Sequence, residues 1–430
     1  MTTPSVAPQQ KFRPWNSSKK HWGSNEIPES VLLGVLTLIQ FCHTLDFVIL
    51  MPLGAQLMRL FQISPVQFGI LVSAYTAAAS VSGFLVALFI DRFDRKAAIL
   101  ALFGLFTGAT LLCAISSDYS SLLLARILAG GAGGVLQALI FSVVGELIPE
   151  NRRGRATGII LSAFSLASVL GVPVGLFLAH RFDWQAPFYV LTAVCFAGWF
   201  LARAILPSMR SHVVTSGRLK IAAELRRLRD VALVEKHRWA ILLNVTLVFG
   251  MFAYIPYLNV HLVKNVGIEE KDLSLLYLVG GIFTIVGSRL TGRLSDRYGK
   301  LEVFQVAAAL ALIPIIAVAN LPVLPLWGVI AFSSSFMVLM NARYVPATSL
   351  MTSAARADMR GSFLSASASL QHLAMSTASL LGGVIVAAGA EPGEIRMPRV
   401  GWLAAILGLC AIPIARRLRS MMDEVGPRGA

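Results

Sequence analysis

Apolar positions along this chain fall in long unbroken runs instead of alternating with polar ones. Several runs exceed the roughly 18 residues that a helix needs to cross a bilayer. Reading each run between charged or turn-rich punctuation predicts twelve helices. The first six cover approximately Ser30 to Pro52, Val66 to Ile90, Ala97 to Ile115, Ser121 to Ile148, Ala156 to His180 and Ala186 to Leu206. After a basic stretch come Trp239 to His261, Leu273 to Leu290, Val303 to Asn320, Leu324 to Leu350, Gly361 to Ala388 and Val400 to Ile414. An even number of crossings brings both chain ends to one face.

Composition agrees with the pattern. Of 430 residues, 56% are hydrophobic and 14% charged, whereas soluble domains carry roughly a quarter charged residues. A soluble enzyme, a disordered chain and a secreted disulfide scaffold are all excluded, which leaves an all-α membrane protein. The four cysteines, Cys42, Cys113, Cys195 and Cys410, each lie inside an apolar run and read as small packing residues. Residues 1–29 have no apolar core and read as a cytoplasmic tail without a cleavable leader, so the first span directs insertion.

The net charge of +15 does not indicate a nucleic-acid partner, because the basic residues sit in short loops and not in one aromatic-studded patch. Of 37 Lys and Arg, 28 lie on the face shared with the termini and 6 on the opposite face; Arg126, Arg203 and Arg343 remain inside runs. This bias predicts a multi-pass protein of a bacterial cytoplasmic membrane with both termini in the cytoplasm. The expected organisation is a tail over 1–29, a six-helix bundle over 30–206, a linker over 207–238, a second bundle over 239–417 and a tail over 418–430. Within the linker, Ile221, Leu225 and Leu228 recur at helical spacing beside Lys220, Arg226, Arg227 and Arg229, predicting an interfacial amphipathic helix between Arg218 and Val231.

The halves repeat. Ala87-Leu-Phe-Ile-Asp-Arg-Phe-Asp-Arg-Lys96 follows the second span and Gly292-Arg-Leu-Ser-Asp-Arg-Tyr-Gly-Lys300 the eighth, with Asp91 and Asp296 205 positions apart. Arg153-Gly154 and Arg360-Gly361 repeat at an offset of 207. Two landmarks with nearly one offset point to two pseudo-symmetric six-helix bundles, an arrangement in which transporters place substrate between the halves near mid-membrane.

These segments resemble the loop signature of the major facilitator superfamily, Gly-x-Leu-x-Asp-Arg-x-Gly-Arg-Lys. The second copy matches well, and the first departs at both glycines, with Ala87 and Asp94 in their place. Arg126-Ile-Leu-Ala-Gly130 matches the family's fourth-helix Arg-x-x-x-Gly. Gly171-Val-Pro-Val-Gly175 resembles a fifth-helix form of bacterial drug:proton antiporters of the arabinose-efflux-permease-like type, without the adjacent Gly-Pro and paired glycines of the fuller motif. The resemblance implies an antiporter-type helix motif at Gly171, Pro173 and Gly175. It also implies a cytoplasmic gate in which Asp91 with Arg95, Glu146 and Arg360 latches the halves. Arg92, Gly292, Asp296 and Arg297 belong to the same loop signatures. Asp91 and Asp296 are placed where a helix ends, where a carboxylate can accept bonds from a helix N-terminus. Solvated charges that set topology are the plainer reading of all of these.

Asp46 lies roughly 24 Å along the first span at 1.5 Å per residue, and Arg126 roughly 8 Å along the fourth from the opposite face, so the two reach similar depth. Each would be costly alone in the membrane. The pair reads either as a proton-coupling site, the role the family resemblance also implies, or as a structural tie between two helices. Gln40, His43 and Phe47 flank Asp46 at spacings of three and four, a polar and aromatic stripe facing a central cavity. Gln371 and His372 in the eleventh span, with Phe252 and Tyr254 in the seventh, are expected on the other wall. The imidazoles read equally as ligands or as packing residues. Gly130, Gly131, Gly133 and Gly134 allow close helix approach. A phosphate-cradling loop is excluded, since no strand and no Walker lysine accompany them.

The sequence thus predicts a monomeric secondary transporter that exports small organic molecules in exchange for protons by alternating access, with no cofactor, no metal and no catalytic residues. A proton-coupled uptake symporter on the same scaffold is the alternative, and a transport-inactive sensor or scaffold a third reading.

Overall fold

The computed structural model describes residues 28–87, 94–209, 229–356, 359–389 and 395–423. Among them the chain is 88% helical and has no strand. Among the described residues, twelve helices are long and apolar enough to cross a membrane. A bilayer core offers backbone groups no partners, so helices that satisfy them internally are what these runs must become.

The spans in the first bundle are Glu29–Ile49, Pro65–Ala87, Arg95–Ile115, Tyr119–Leu147, the interrupted fifth helix Glu150–Leu166 with Val172–Arg181, and Ala186–Ile205. Those in the second are Glu235–Lys264, Leu273–Tyr298, Lys300–Ala319, Leu326–Ala354, Arg360–Ala387 and Met397–Asp423. Several outrun the apolar runs that announced them. The eighth continues to Tyr298, the twelfth to Asp423, and the fifth begins at Glu150. An apolar run records the thickness of hydrocarbon, whereas the hydrogen-bonded helix continues into the polar layer. A short helix, Gly54–Leu60, fills the first loop on the opposite face and has no counterpart in the hydropathy pattern. The amphipathic segment expected at Arg218 to Val231 lies largely outside the described residues; its last residues, 229–231, are helical.

Local chemistry fixes several helix ends. Asp118 caps the fourth span in a capping box, accepting bonds from the backbone N–H groups of Ser120 and Ser121 at 2.9 and 3.0 Å. Bonding from Ser121 above all holds its carboxyl below the usual carboxylate range. Gly299, at φ +101°, ends the eighth span in a region that favours glycine. Its counterpart in the first copy of the loop signature is Asp94, at φ −57°. Asp94 instead caps the third span, accepting from Lys96 N at 3.0 Å, and ties it to the end of the sixth through Met209 N and Ser208 Oγ at 2.9 and 2.7 Å. The two copies therefore turn by different means.

The fifth span changes winding where it meets Gly171-Val-Pro-Val-Gly175. Ala167–Gly171 form a π turn, and Val172 N–H bonds back to Ala167 O. Proline lacks an amide hydrogen and disturbs the preceding turn of a regular helix, and π turns recur at such interruptions.

The buried apolar side chains show how the bundles meet. Towards the opposite face one cluster runs through both, joining Ile49, Leu57, Phe68 and Leu122 to Val248, Tyr257, Val260 and Leu276. Towards the face of the termini the core divides. Leu36, Phe103, Leu136 and Val143 belong to the first bundle, and Leu243, Phe304, Ala347 and Leu418 to the second. The second and eleventh spans pack together, with Ser80 Oγ donating to Ser369 O at 2.9 Å, and within the second bundle Tyr257 Oη of the seventh span donates to Ser379 O of the eleventh at 2.6 Å. The fifth and eighth meet at the π turn, where a Cβ on Gly281 would stand 2.9 Å from Val169. Arg59 and Glu270 pair across the bundles on the opposite face through two bonds of 2.6 and 3.1 Å. The apolar core is continuous across the bundles at that face and divided towards the other, where Ser80 and Ser369 still join them.

Cys42, Cys113 and Cys195 are buried as expected of packing residues, but Cys410 is exposed on the outer surface of the twelfth span.

Candidate functional site

Asp46 and Arg126 meet inside the first bundle, and neither side chain is exposed at all. Arg126 Nη1 donates to Asp46 Oδ2 at 2.7 Å and to Asp46 O at 3.2 Å. That carbonyl is available because the first span ends at Ile49, and the last four carbonyls of a helix have no intrahelical partner. Thr110 Oγ1 approaches Asp46 Oδ1 at 3.4 Å. Beneath the guanidinium lies the Tyr75 ring, 4.6 Å from Arg126 Cζ, an arrangement in which a ring face attracts a cation. Tyr75 Oη in turn donates to His43 O at 3.4 Å. Arg126 Nε and Nη2 have no hydrogen-bond partner.

Glycines make this contact possible. A Cβ on Gly130, one turn from Arg126, would collide with the Tyr75 backbone, and one on Gly134 would stand 2.7 Å from Ala79 Cα. Gly131, by contrast, faces open space. From the fifth span, a Cβ on Gly171 would stand 2.7 Å from Leu45 Cδ1, and one on Gly175 2.6 Å from Ile49 Cδ1. The Gly171-Pro173-Gly175 segment thus presses the fifth span against the first on both sides of Asp46.

Between the bundles lies a polar layer. Gln40 and His43 are buried on the first span, and His43 lies within electrostatic reach of His372 on the eleventh. Asn244 of the seventh span donates to Gln371 Oε1 at 3.1 Å and to Ser367 Oγ at 3.3 Å. Gln40 Oε1, His43 Nε2 and Asn244 Oδ1 are buried with no partner. On the closed side of this layer, Phe47 stacks on Phe252 at 5.8 Å and on Tyr75 at 5.1 Å.

Tyr254 is a correction. It is buried inside the second bundle, stacked on Phe336 at 5.0 Å with its hydroxyl donating to Ile315 O at 3.2 Å. Two residues on a helix are about 200° apart, so Phe252 and Tyr254 cannot share a wall. Asp296 is another. The eighth helix continues past it to Tyr298, and Asp296 is exposed and caps nothing. Arg297 is exposed beside Tyr298, and nothing lies within 4 Å of a Cβ on Gly292. Arg95 is buried and pairs with Glu146 at 2.9 Å, joining the third and fourth spans within one bundle. Asp91 and Arg92, and the side chain of Arg360, lie outside the described residues.

Sequence reasoning missed Tyr75, Thr110, Asn244 and the Arg59–Glu270 pair. Asn244 was visible as an amide within an apolar run. Tyr75 and Thr110 carry no such signal, because their importance comes from what packs against them.

Residues 36–379 match the profile of the Major Facilitator Superfamily. The chain belongs to that superfamily. Among its relatives is the uncharacterized MFS-type transporter YwfA of Bacillus subtilis (strain 168), 26% identical over 90% of this chain and 94% of that protein. A chloramphenicol resistance protein of Streptomyces lividans is 24% identical over 84% of this chain and 89% of its own length. The crystal structure of a D-xylose-proton symporter superposes with a TM-score of 0.74 at 16% identity, covering 90% of this chain and 97% of that one. That likeness reports the fold. This superfamily member is a membrane transporter and not an enzyme.

Proposed function

We propose that this transporter exports small organic molecules from a bacterial cytoplasm in exchange for protons. The observation that carries the reading is the fully enclosed Asp46–Arg126 pair. An intramembrane acid is costly and marks proton or substrate pathways, and this one lies between His43 and Phe47 of the inter-bundle stripe. Protonation of Asp46 would remove the charge that holds Arg126 Nη1 and so loosen the first span from the fourth. Alternate loss and recovery of that bond ties proton entry to rocking of one bundle against the other.

Direction rests on two supports. The relative from Streptomyces lividans carries the name of a resistance protein, and the basic loops favour an orientation with the termini in the cytoplasm. On that orientation the closed face, with Arg59 and Glu270, is the outer one, and the divided core opens inward to receive cytoplasmic substrate.

The test is transport in proteoliposomes under an imposed pH gradient, with internal pH followed as substrate moves. Export coupled to proton entry in the wild type, lost in Asp46→Asn, supports the reading. Undiminished gradient-driven transport with unchanged pH dependence in Asp46→Asn rejects it, and proton movement in the same direction as substrate makes the protein a symporter.

A further inference from the structure

The polar layer between the bundles combines two features that together specify a ligand. It carries hydrogen-bonding groups without formal charge, and three of its buried atoms have nothing to bond. Gln40 Oε1 and Asn244 Oδ1 are acceptors; His43 Nε2 accepts or donates according to tautomer. A buried polar atom left without a partner is destabilising, and three in one layer are accounted for if a bound molecule supplies the missing bonds. They come from the first and seventh spans, one in each bundle, so a molecule that satisfies them all bridges the halves.

Charge narrows the choice. Asp46, the acid nearest this layer, is bonded by Arg126, flanked by Thr110, and shows no exposed surface. A cationic ligand would enter the layer without a counter-charge, and burying an unpaired ion costs far more than burying an amide or hydroxyl. The buried arginine of the second bundle is turned away, with its Nη1 against Gly408 of the twelfth span. Towards the closed face the half-buried Phe47, stacked on the buried Phe252, bounds the layer with apolar side chains.

We infer that the layer of Gln40, His43, Asn244, Gln371 and His372 binds an uncharged molecule rich in hydroxyl or amide N–H donors, with an apolar ring seated against Phe47 and Phe252. This inference rests on the reading of the inter-bundle layer as the transport site and supplies its substrate class. A site built around hydrogen bonds to a ligand discriminates strongly against analogues that lack the donors.

The experiment is equilibrium titration calorimetry on the full chain in lipid nanodiscs, without any gradient. The probes share a phenyl core: uncharged phenyl glucoside and phenyl amides, the anionic phenyl glucuronide, and the permanent cation benzyltrimethylammonium. Saturable binding is expected for the uncharged set. Asn244→Leu and Gln40→Leu should each weaken it at least tenfold, about 1.4 kcal/mol, with Asn244→Ser intermediate and all variants eluting as the wild type does. Tighter binding of the cation or the anion, no binding of the uncharged set, or affinity unmoved by the substitutions in folded protein overturns the inference. Because no proton gradient is present, these outcomes are independent of whether transport is proton-coupled.

Discussion

Consider removing one charge from the Asp46–Arg126 pair. Asp46→Asn keeps the shape of the side chain and an acceptor for Arg126 Nη1, but leaves a guanidinium with no exposed surface and no counter-ion. Two of its three nitrogens are already without partners, and what remains, the Asp46 carbonyl and the Tyr75 ring, carries no negative charge. Breaking a buried pair by deleting one member costs about 3–5 kcal/mol, and solvent screening does not soften it at zero exposure. Arg126→Gln should cost less, because the stranded carboxyl can take up a proton whereas a guanidinium cannot lose one. The double variant, Asp46→Asn with Arg126→Gln, carries two neutral amides that can bond each other and should recover most of that loss. Unfolding of the three variants in dodecyl maltoside, followed by circular dichroism, completes a double-mutant cycle. A double variant that loses the sum of the two single costs would show that the groups do not interact, and the argument from their pairing would fail.

Other expectations concern packing and charge elsewhere. Gly130→Ala must push against the Tyr75 backbone, which cannot rotate away, so it should lose about 1–3 kcal/mol. Gly131→Ala, facing open space, should be neutral; equal effects at both sites in melting experiments would refute the close-approach argument. Arg343 is 2% exposed with an unpartnered Nη1, so Arg343→Met should stabilise by about 1–3 kcal/mol, and a fall in melting temperature would reveal a counter-charge in another state. The exposed Arg59–Glu270 pair should contribute less than about 1 kcal/mol to stability. Arg59→Glu should slow transport nonetheless, and the reversed pair Arg59→Glu with Glu270→Arg should restore it; turnover insensitive to both would remove the pair from the closure of that face.

The fold was legible because hydrocarbon imposes one simple requirement, about 20 apolar residues per crossing, and that requirement is written in the runs from Ser30 onward. Asp46 and Arg126 were legible for the converse reason, as charges where the same rule forbids them. Which way a side chain points was harder to read. Phe252 and Tyr254 are both aromatic and near mid-span, yet the helix turns them to opposite sides. Asp296 looked like a helix terminus because the apolar run stops before it, although the hydrogen-bonded helix does not. Tyr75 and Thr110 owe their place to Gly130 and to Asp46, contacts between distant parts of the chain that no local pattern records.

The π turn at Ala167–Gly171 sets the rotational phase of everything after it. One added residue advances the following helix by about 100°, and this advance brings Gly175 under Ile49 while Val174 and Phe177, 55% and 59% exposed, face outward. Excising a single residue from the turn would swing those two bulky side chains towards the first span and carry the glycines out towards lipid. The fifth helix therefore works as a keyed shaft, in which one surplus amino acid decides which of two surfaces meets the neighbouring helices and which meets the membrane.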